Sequence, residues 1–273
     1  FEHIAVIAVV LAAYAAGRAP ERTGPPEGLR VAARVGVGGG GNLNRFVVDL
    51  TSKMQEGVFF IGEFETVLTE IMSRLVSPGD TCVDVGANFG WYTSLMALHA
   101  EPDGEVHSFE PIPATFEKLN ETHRQMGSPA NVHLNNFALG DNPGTVEVHV
   151  FDSLGTGYAS MSGKEGVESS VVECSIETLD SYRDGHSIAR IDMVKVDIEG
   201  AELLFLKGAS RLFSQRVPPI MMVEMAIATT TNFGYHPNDL LDLIASQADY
   251  QFYAVDEWNG TVRRFERFAA DEI

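Results

Sequence analysis

Carboxylates recur at the ends of apolar runs in this sequence. The acids in question are Asp84, Glu110, Asp197, Glu199 and Glu224. The runs that carry them have the length and composition of buried strands. Because the carboxyl ends of parallel strands meet at one edge of a sheet, we expect these acids to lie close together. Converging carboxylates can accept a proton from a reacting group or bind a positively charged ligand.

A glycine-containing turn follows the first of these acids. The segment Asp84-Val-Gly86-Ala-Asn88-Phe-Gly90 leads directly into a predicted helix, and its glycines permit a ligand to approach the backbone closely. The spacing differs from the Gly-x-Gly-x-x-Gly pattern of dinucleotide-binding proteins. A carboxylate beside this helix N-terminus would repel a pyrophosphate but attract a cation. S-adenosylmethionine carries an ammonium and a sulfonium, so its charge matches Asp84.

Two further strand ends add to this prediction. Glu110 lies about 20 residues past the glycine turn, where a carboxylate accepts hydrogen bonds from ribose hydroxyls. Asn136 ends the next strand, and its amide could either face an adenine edge or form a turn. Asp197 and Glu199 could cap a helix instead of reacting. We favour a chemical role for them because they share a rim with Asp84 and Glu110.

The elements that position these residues follow a regular order from Asp80 onward. Strands are predicted at TCVDV, EVHSF, NVHLNNF, MVKVDI and PIMMVEM, and helices at 63–75, 90–99, 113–125, 200–213 and 237–247. This alternation predicts an α/β fold with a doubly wound, Rossmann-like, mostly parallel sheet of seven strands. The strand-like segments on either side of Asn259-Gly260 predict a C-terminal antiparallel hairpin. Residues 140–176 interrupt the alternation and form a candidate substrate cover.

The length of 273 residues fits one large domain with an appendage. We assign the domain to residues 61–273, with the insertion at 140–176, and the appendage to residues 1–60. The apolar stretch Ile4–Ala16 is shorter than the roughly 20 residues that span a bilayer. We predict a helix packed on the body or on another subunit, with a membrane anchor as the alternative. Arg18–Gly28 is typical of a linker.

The charge distribution limits the partners. The formal net charge is -19, with 38 acidic and 19 basic residues, which disfavours nucleic acid as a ligand. Two cysteines exclude a disulfide scaffold. The strand-end acids could hold a divalent metal, but no ligand set has a clear spacing, so we predict no metal site. His107 lies in the middle of a strand and is predicted to be a satisfied core histidine. We expect a cytoplasmic protein, with a homodimer possible through the apolar N-terminal helix.

Several segments together resemble the FkbM-type methyltransferases, a family of class I S-adenosylmethionine-dependent enzymes. They are VDVGANFGWYT, FEPIPATFEKL, ALGD, ETLD, KVDIEGAE and MVEM, between about residues 80 and 224. The resemblance implies that S-adenosylmethionine is the cofactor. It implies that the methionine end of the cofactor contacts Asp84, Gly86, Ala87, Asn88 and Gly90. It further implies that Glu110 binds the ribose, that Asn136 and Ala138 flank the adenine, and that Asp197 lies near the transferred methyl group.

The resemblance also implies O-methylation of a hydroxyl on a sugar, a glycolipid or a polyketide-type small molecule. Asp197, Glu199 and Glu224 are the candidates for the base that receives the hydroxyl proton. On this interpretation, Asp84→Ala abolishes cofactor binding. Two alternatives remain: a nicotinamide-dependent oxidoreductase on the same fold, and a cofactor-binding scaffold without chemistry. The missing dinucleotide motif disfavours the first, and the intact strand-end acids disfavour the second.

Overall fold

A computed structural model describes residues 64–151, 159–163, 166–256 and 260–269, and the backbone of three strands between residues 4 and 49. Its strands are β1 Ile4–Val9, β2 Arg30–Gly36, β3 Leu43–Asp49, β4 Thr81–Val85, β5 Glu105–Phe109, β6 Val132–Asn135, β7 Ala138–Leu139, β8 Gly144–Val150, β9 Ala159–Ser160, β10 Ser170–Glu177, β11 Met193–Val196, β12 Ile220–Glu224, β13 Tyr250–Asp256 and β14 Thr261–Phe265. β2 and β3 form an antiparallel pair of their own.

The main sheet has eight strands in the order β14-β13-β1-β12-β11-β4-β5-β6. Every neighbouring pair is parallel except β13 and β14, which run antiparallel. This confirms the predicted α/β fold with a parallel sheet and a C-terminal antiparallel hairpin. The chain moves outward from β4 to β6 and later returns to place β11 on the other side of β4. The strand order therefore reverses between β4 and β11, which is where an open α/β sheet binds its ligand.

Helices cover both faces of this sheet. They are α1 Thr66–Leu75, α2 Trp91–Ala100, α3 Pro113–Gln125, α4 Leu179–His186, α5 Glu202–Lys207, α6 Ile227–Thr230 and α7 Pro237–Gln247. Alternate strand residues enter opposite cores: Cys82 packs with α1 and α2, whereas Val83 and Val85 pack with α4, α5 and α7. None of the helices in the described ranges has both the length and the apolar character needed to cross a bilayer.

Two sequence predictions are wrong. The main sheet has eight strands and not seven, and Ile4–Val9 is a strand between β12 and β13 and not part of a helix. A parallel strand inside a sheet is covered on both faces, so it has the same unbroken apolar sequence as a buried helix, and periodicity does not separate the two. Residues 10–16 of that predicted helix and the linker at Arg18–Gly28 lie outside the described residues.

A second, smaller sheet follows β6 in the chain. Its order is β7-β10-β8-β9, and it is built largely from the segment predicted as an insertion. Val148 and Cys174 point inward and pack with Ile112 from the loop before α3. The amide of Gly140 donates to the carbonyl oxygen of Glu177 at 2.9 Å, so the segment leaves and rejoins the body at one place.

Candidate active site

A cavity of about 280 Å³ lies at the carboxyl ends of β4, β5, β11 and β12, beside the reversal of strand order. Most of the predicted site residues line it: Gly86 to Asn88, Glu110, Ala138, Asp197, Glu199 and Glu224. Asp84, Gly90 and Asn136 are not among its lining residues. Phe64, Phe109 and Phe137 add aromatic surface, and Val148 and Met161 form a wall from the second sheet.

The turn after β4 is packed directly against the turn after β11. Gly86 has a φ of 78°, and a Cβ atom at this position would lie 2.0 Å from the carbonyl oxygen of Asp197. Gly90 has a φ of 93°, and a Cβ there would meet the Leu119 side chain at 2.8 Å. The two glycines are therefore required by close backbone approach and by left-handed backbone conformation. They allow the end of β4, the start of α2 and Asp197 to pack closely together beside the cavity.

We expect Gly86→Ala to unfold the chain or to displace Asp197, because its methyl group would overlap a backbone carbonyl. Gly127→Ala is the matched control, since Gly127 has a φ of 92° and an added Cβ meets nothing within 4 Å. The control should cost only the strain of a left-handed backbone, about 1 kcal/mol. Urea denaturation of both variants measures the difference. Equal stability losses would show that the contact with Asp197 is unimportant.

Glu110 is held in a fixed position at the end of β5. Its Oε2 accepts from the Asn88 amide at 3.1 Å and its Oε1 from the Ile112 amide at 3.0 Å. Burial raises the pKa of this carboxyl to about 7, although the two amides and Lys195 oppose the rise. The side-chain amide of Asn136 donates to the carbonyl oxygens of Glu110 and Pro111 at 2.9 and 3.0 Å. Asn136 thus braces the Glu110 turn.

Lys195 lies at the centre of the acidic end of the cavity. Its Nζ is 3.1 Å from Asp197 Oδ2 and 4.0 Å from Asp84 Oδ1, and it donates to the Gly86 carbonyl oxygen at 3.3 Å. Burial opposes the charge of this ammonium, but the two carboxylates outweigh burial and raise its pKa. Asp84 is fully buried and accepts from the Thr93 hydroxyl at 2.6 Å. Asp84 therefore acts on the cavity through Lys195.

The carboxyl groups of Asp197 and Glu224 are close enough for each to shift the pKa of the other. Burial raises the pKa of Glu224 well above its usual value, and the charge of Asp197 raises it further. Burial also acts on Asp197, but the Lys195 ammonium and the hydrogen bond from Glu224 lower its pKa overall. Glu224 Oε2 is buried and finds no donor in the described part of the chain. A protonated Glu224 that donates to an ionised Asp197 satisfies both groups.

The Glu202 side chain stabilises the turn from Asp197 to Gly200 by hydrogen bonds. Its Oε1 accepts from the amides of Ile198 and Gly200 at 3.2 and 3.1 Å, and its Oε2 lies 3.1 Å from the Tyr235 hydroxyl. Burial raises the pKa of Glu202 to about 7. Glu199 lies on the rim of the cavity with a φ of 54°, and its carbonyl oxygen accepts from the Ser160 hydroxyl at 2.9 Å.

These buried acids make the stability of the fold dependent on pH. Glu110 and Glu202 each have a folded pKa of about 7, above the value of 4.5 for an unfolded glutamate. Between these values the folded state binds more protons, so the free energy of unfolding falls as the pH rises from about 4.5 to 7. Each group contributes at most about 3 kcal/mol to this fall. Glu202→Gln should flatten the slope in urea titrations at pH 5, 6 and 7.5, whereas the exposed control Glu70→Gln should not.

Sequence reasoning missed Lys195, although it found the acids around it. The alternation of β11 places residues 195 and 197 on one face, and a lysine between acids in a buried strand was the available signal. Tyr235 and His236, which follow β12 and α6 in the chain, have structural roles in the described chain. Tyr235 supports Glu202, and His236 caps α7 by accepting from the Asn238 amide.

The region that contains the reversal of strand order, the glycine turn and the acids matches a known protein family. The methyltransferase FkbM domain matches residues 84–252. The chain belongs to the FkbM methyltransferase family. This match begins inside β4 and ends inside β13, so it includes all of the strand-end acids from Asp84 to Glu224.

Two relatives of this chain are also methyltransferases. The chain is 28% identical over 153 residues to methyltransferase sdnD of Sordaria araneosa, covering 46% of this chain and 59% of that protein. It is 29% identical over 131 residues to the hexuronic acid methyltransferase AglP of Haloferax volcanii, covering 47% and 49%. The chain thus spans about half of the length of these relatives. A crystal structure of an FkbM methyltransferase from Methylobacillus flagellatus is 20% identical, with a TM-score of 0.47, over 71% of this chain and 48% of that chain.

Proposed function

We propose that this FkbM-family chain is an S-adenosylmethionine-dependent methyltransferase that methylates a hydroxyl of a sugar, a glycolipid or a polyketide-type small molecule. One observation carries the proposal. A single cavity joins the Gly86–Asn88 turn and Glu110 at one end to Asp197, Glu224 and Lys195 at the other. A nucleoside-binding end and an acidic, proton-accepting end therefore face the same space.

The residues around the cavity fit S-adenosylmethionine. The side-chain oxygen of Asn88 is buried without a hydrogen-bond donor among the described residues, so it suits an ammonium or hydroxyl of a ligand. Glu110 is anchored by two backbone amides and retains lone pairs for ribose hydroxyls. Phe137 and Ala138 offer apolar surface for the adenine. Bound there, the cofactor supplies an electrophilic methyl group.

The acids at the other end have different proton states, and this separates their roles. Lys195 holds Asp197 ionised, so Asp197 can accept the proton that the acceptor hydroxyl loses as the new carbon–oxygen bond forms. Burial and the charge of Asp197 raise the pKa of Glu224 and favour its protonated form, which donates a hydrogen bond to Asp197 and orients the base. Glu199 contacts the acceptor from the rim. Of the three predicted bases, Asp197 is therefore our choice.

The acceptor class follows from the walls of the cavity. The carboxylates at the acidic end of the cavity accept hydrogen bonds from hydroxyl groups. Apolar contact comes from the segment of the second sheet, through Val148, Val150 and Met161. A hydroxyl-rich ring satisfies the acids, and the apolar wall accommodates the face of the ring or an attached chain. The similarity to a hexuronic acid methyltransferase supports a sugar.

Transfer of an isotopically labelled methyl group tests the proposal. Labelled S-adenosylmethionine is incubated with the protein and a panel of monosaccharides, uronic acids, glycolipids and polyketide alcohols. Label in one acceptor, lost when its hydroxyls are blocked, supports O-methylation. Calorimetry with S-adenosylmethionine and with a reduced nicotinamide dinucleotide runs in parallel. Binding of the dinucleotide alone would indicate an oxidoreductase, and cofactor binding without transfer to any acceptor would indicate a scaffold.

A further inference from the structure

Two histidines and a glutamate lie together on the face of the main sheet that α4 covers. His107 of β5 is paired in register with His133 of β6, and their rings stack with centroids 4.6 Å apart and planes 14° apart. Glu105 lies two residues before His107 on the same face of β5. One ligand atom from each of the three residues lies within 4.8 Å of the others. The three residues are outside the lining of the cofactor cavity.

The nitrogens that face this cluster are not paired as buried polar atoms usually are. Nε2 of His107 and Nε2 of His133 are both buried, and neither has a hydrogen-bond partner in the described structure. The His107 side chain is only 3% exposed, and its Nε2 lies 3.5 Å from Glu105 Oε2, beyond normal hydrogen-bond length. His107 was predicted to be a hydrogen-bonded core histidine. Its Nδ1 does have a partner, the Tyr182 hydroxyl, but its Nε2 has none in the described structure.

The surroundings favour a neutral imidazole with its lone pair toward the cluster. Nδ1 of His107 lies 3.0 Å from the Tyr182 hydroxyl, and the tautomer that donates there leaves a lone pair on Nε2. The ring is buried, and burial favours the uncharged form of an imidazole. Neutral imidazole is the form that binds metals. A second group that fixes the ring is typical of metal-binding histidines.

We propose that Glu105, His107 and His133 form a binding site for a divalent transition metal of the zinc type. Two imidazole nitrogens and a carboxylate oxygen are a ligand set that Zn²⁺ accepts, with water as the fourth ligand. Mg²⁺ and Ca²⁺ prefer oxygen ligands alone. The Glu105 side chain is 54% exposed, which gives the ion a route from solvent. Imidazole nitrogens on tetrahedral zinc lie about 3.3 Å apart, so one of the stacked rings tilts toward the other on binding.

Such an ion has a defined structural consequence. It joins β5 to β6, which is the edge strand of the main sheet. His107 also contacts Tyr182, whose ring packs at 4.8 Å on Phe109, a residue that lines the cofactor cavity. The metal therefore stabilises the strand pair that ends in the Glu110 turn, without contacting the cofactor cavity itself.

Binding of Co²⁺ and Zn²⁺ to the full chain, after treatment with a chelator, tests the proposal. We expect one ion per chain in equilibrium dialysis. At about 100 times the dissociation constant, we expect a rise in Tm of roughly 5 °C. His133→Gln and Glu105→Gln should each abolish the rise while the fold is kept, because both residues are at least partly exposed. Mg²⁺ at the same concentration should give no rise.

His99→Gln is the matched control. Nε2 of His99 is likewise buried without a partner, but His99 belongs to no such ligand group in the described residues. This variant should bind Co²⁺ as the unmodified chain does. No bound ion in the unmodified chain, or an equal loss of binding in all three variants, would overturn the proposal. The result is independent of methyl transfer, since the readouts are stoichiometry and Tm.

Discussion

Asp197→Asn is expected to reduce methyl transfer by about 10²- to 10⁴-fold, the usual contribution of a general base. Asparagine keeps the size and polarity of the side chain but cannot accept the proton of the acceptor hydroxyl. Affinity for S-adenosylmethionine should change by less than about tenfold, because Glu110 and the Gly86–Asn88 turn are untouched. The measurements are single-turnover transfer of labelled methyl and calorimetric binding of the cofactor.

The neighbouring acids supply the controls for this prediction. Glu199→Gln removes a carboxylate from the rim of the same cavity, and it should lower turnover far less than Asp197→Asn. Glu224→Gln retains a hydrogen-bond donor toward Asp197 and should also keep most of the activity. If Asp197→Asn keeps full turnover while Glu199→Gln loses it, the base is Glu199. The choice of Asp197 as the base, which depends on its ion pair with Lys195, would then be wrong.

Lys195→Met is expected to have two large effects, one on stability and one on the pH profile. Methionine fills a similar volume but leaves Asp84 fully buried without its cation, and breaking a buried pair in this way costs about 3–5 kcal/mol. The same loss removes the charge that lowers the pKa of Asp197. Because the proposed transfer needs ionised Asp197, the acidic limb of the pH–rate profile should move to higher pH.

Urea denaturation and a pH series of single turnovers measure these two effects. Lys207→Met at the end of α5 is the control, because Lys207 is exposed and does not line the cavity. The control should leave both the midpoint and the acidic limb in place. An unchanged acidic limb in Lys195→Met, with stability lost, would mean that Lys195 supports the fold without tuning Asp197.

The elements that carry the site were predictable because their signals are local. Thr81–Val85, Glu105–Phe109, Pro113–Gln125 and Pro237–Gln247 have the bounds that their apolar runs and prolines indicate. Strands buried on both faces are short and mostly apolar runs, and a proline at the first helical position marks a helix start. The acids were found for the same reason, since they lie at the ends of the strands or directly after them.

Features that depend on distant parts of the chain were not predictable in this way. The helix Leu179–His186 was missed because its sequence is largely polar, and it is stabilised by burial of Leu179 and Tyr182 against the sheet. Ile4–Val9 was assigned to a helix because nothing in the run itself indicates the neighbouring strands. The pairing of His107 with His133 depends on the register between β5 and β6, which no single segment specifies.

The way in which the second sheet joins the body has a consequence for engineering. Ala138 and Leu139 pair with Ile176 and Glu177, and one backbone hydrogen bond links Gly140 to Glu177. The segment between these points begins and ends side by side, yet it supplies Val148, Val150 and Met161 to the cavity wall. Grafting a different segment between Gly140 and Glu177 would thus exchange the acceptor wall as one block. Glu110, Lys195 and Asp197 would stay in place, so a library of such chimaeras could be screened against new alcohols with the methyl-donor site held constant.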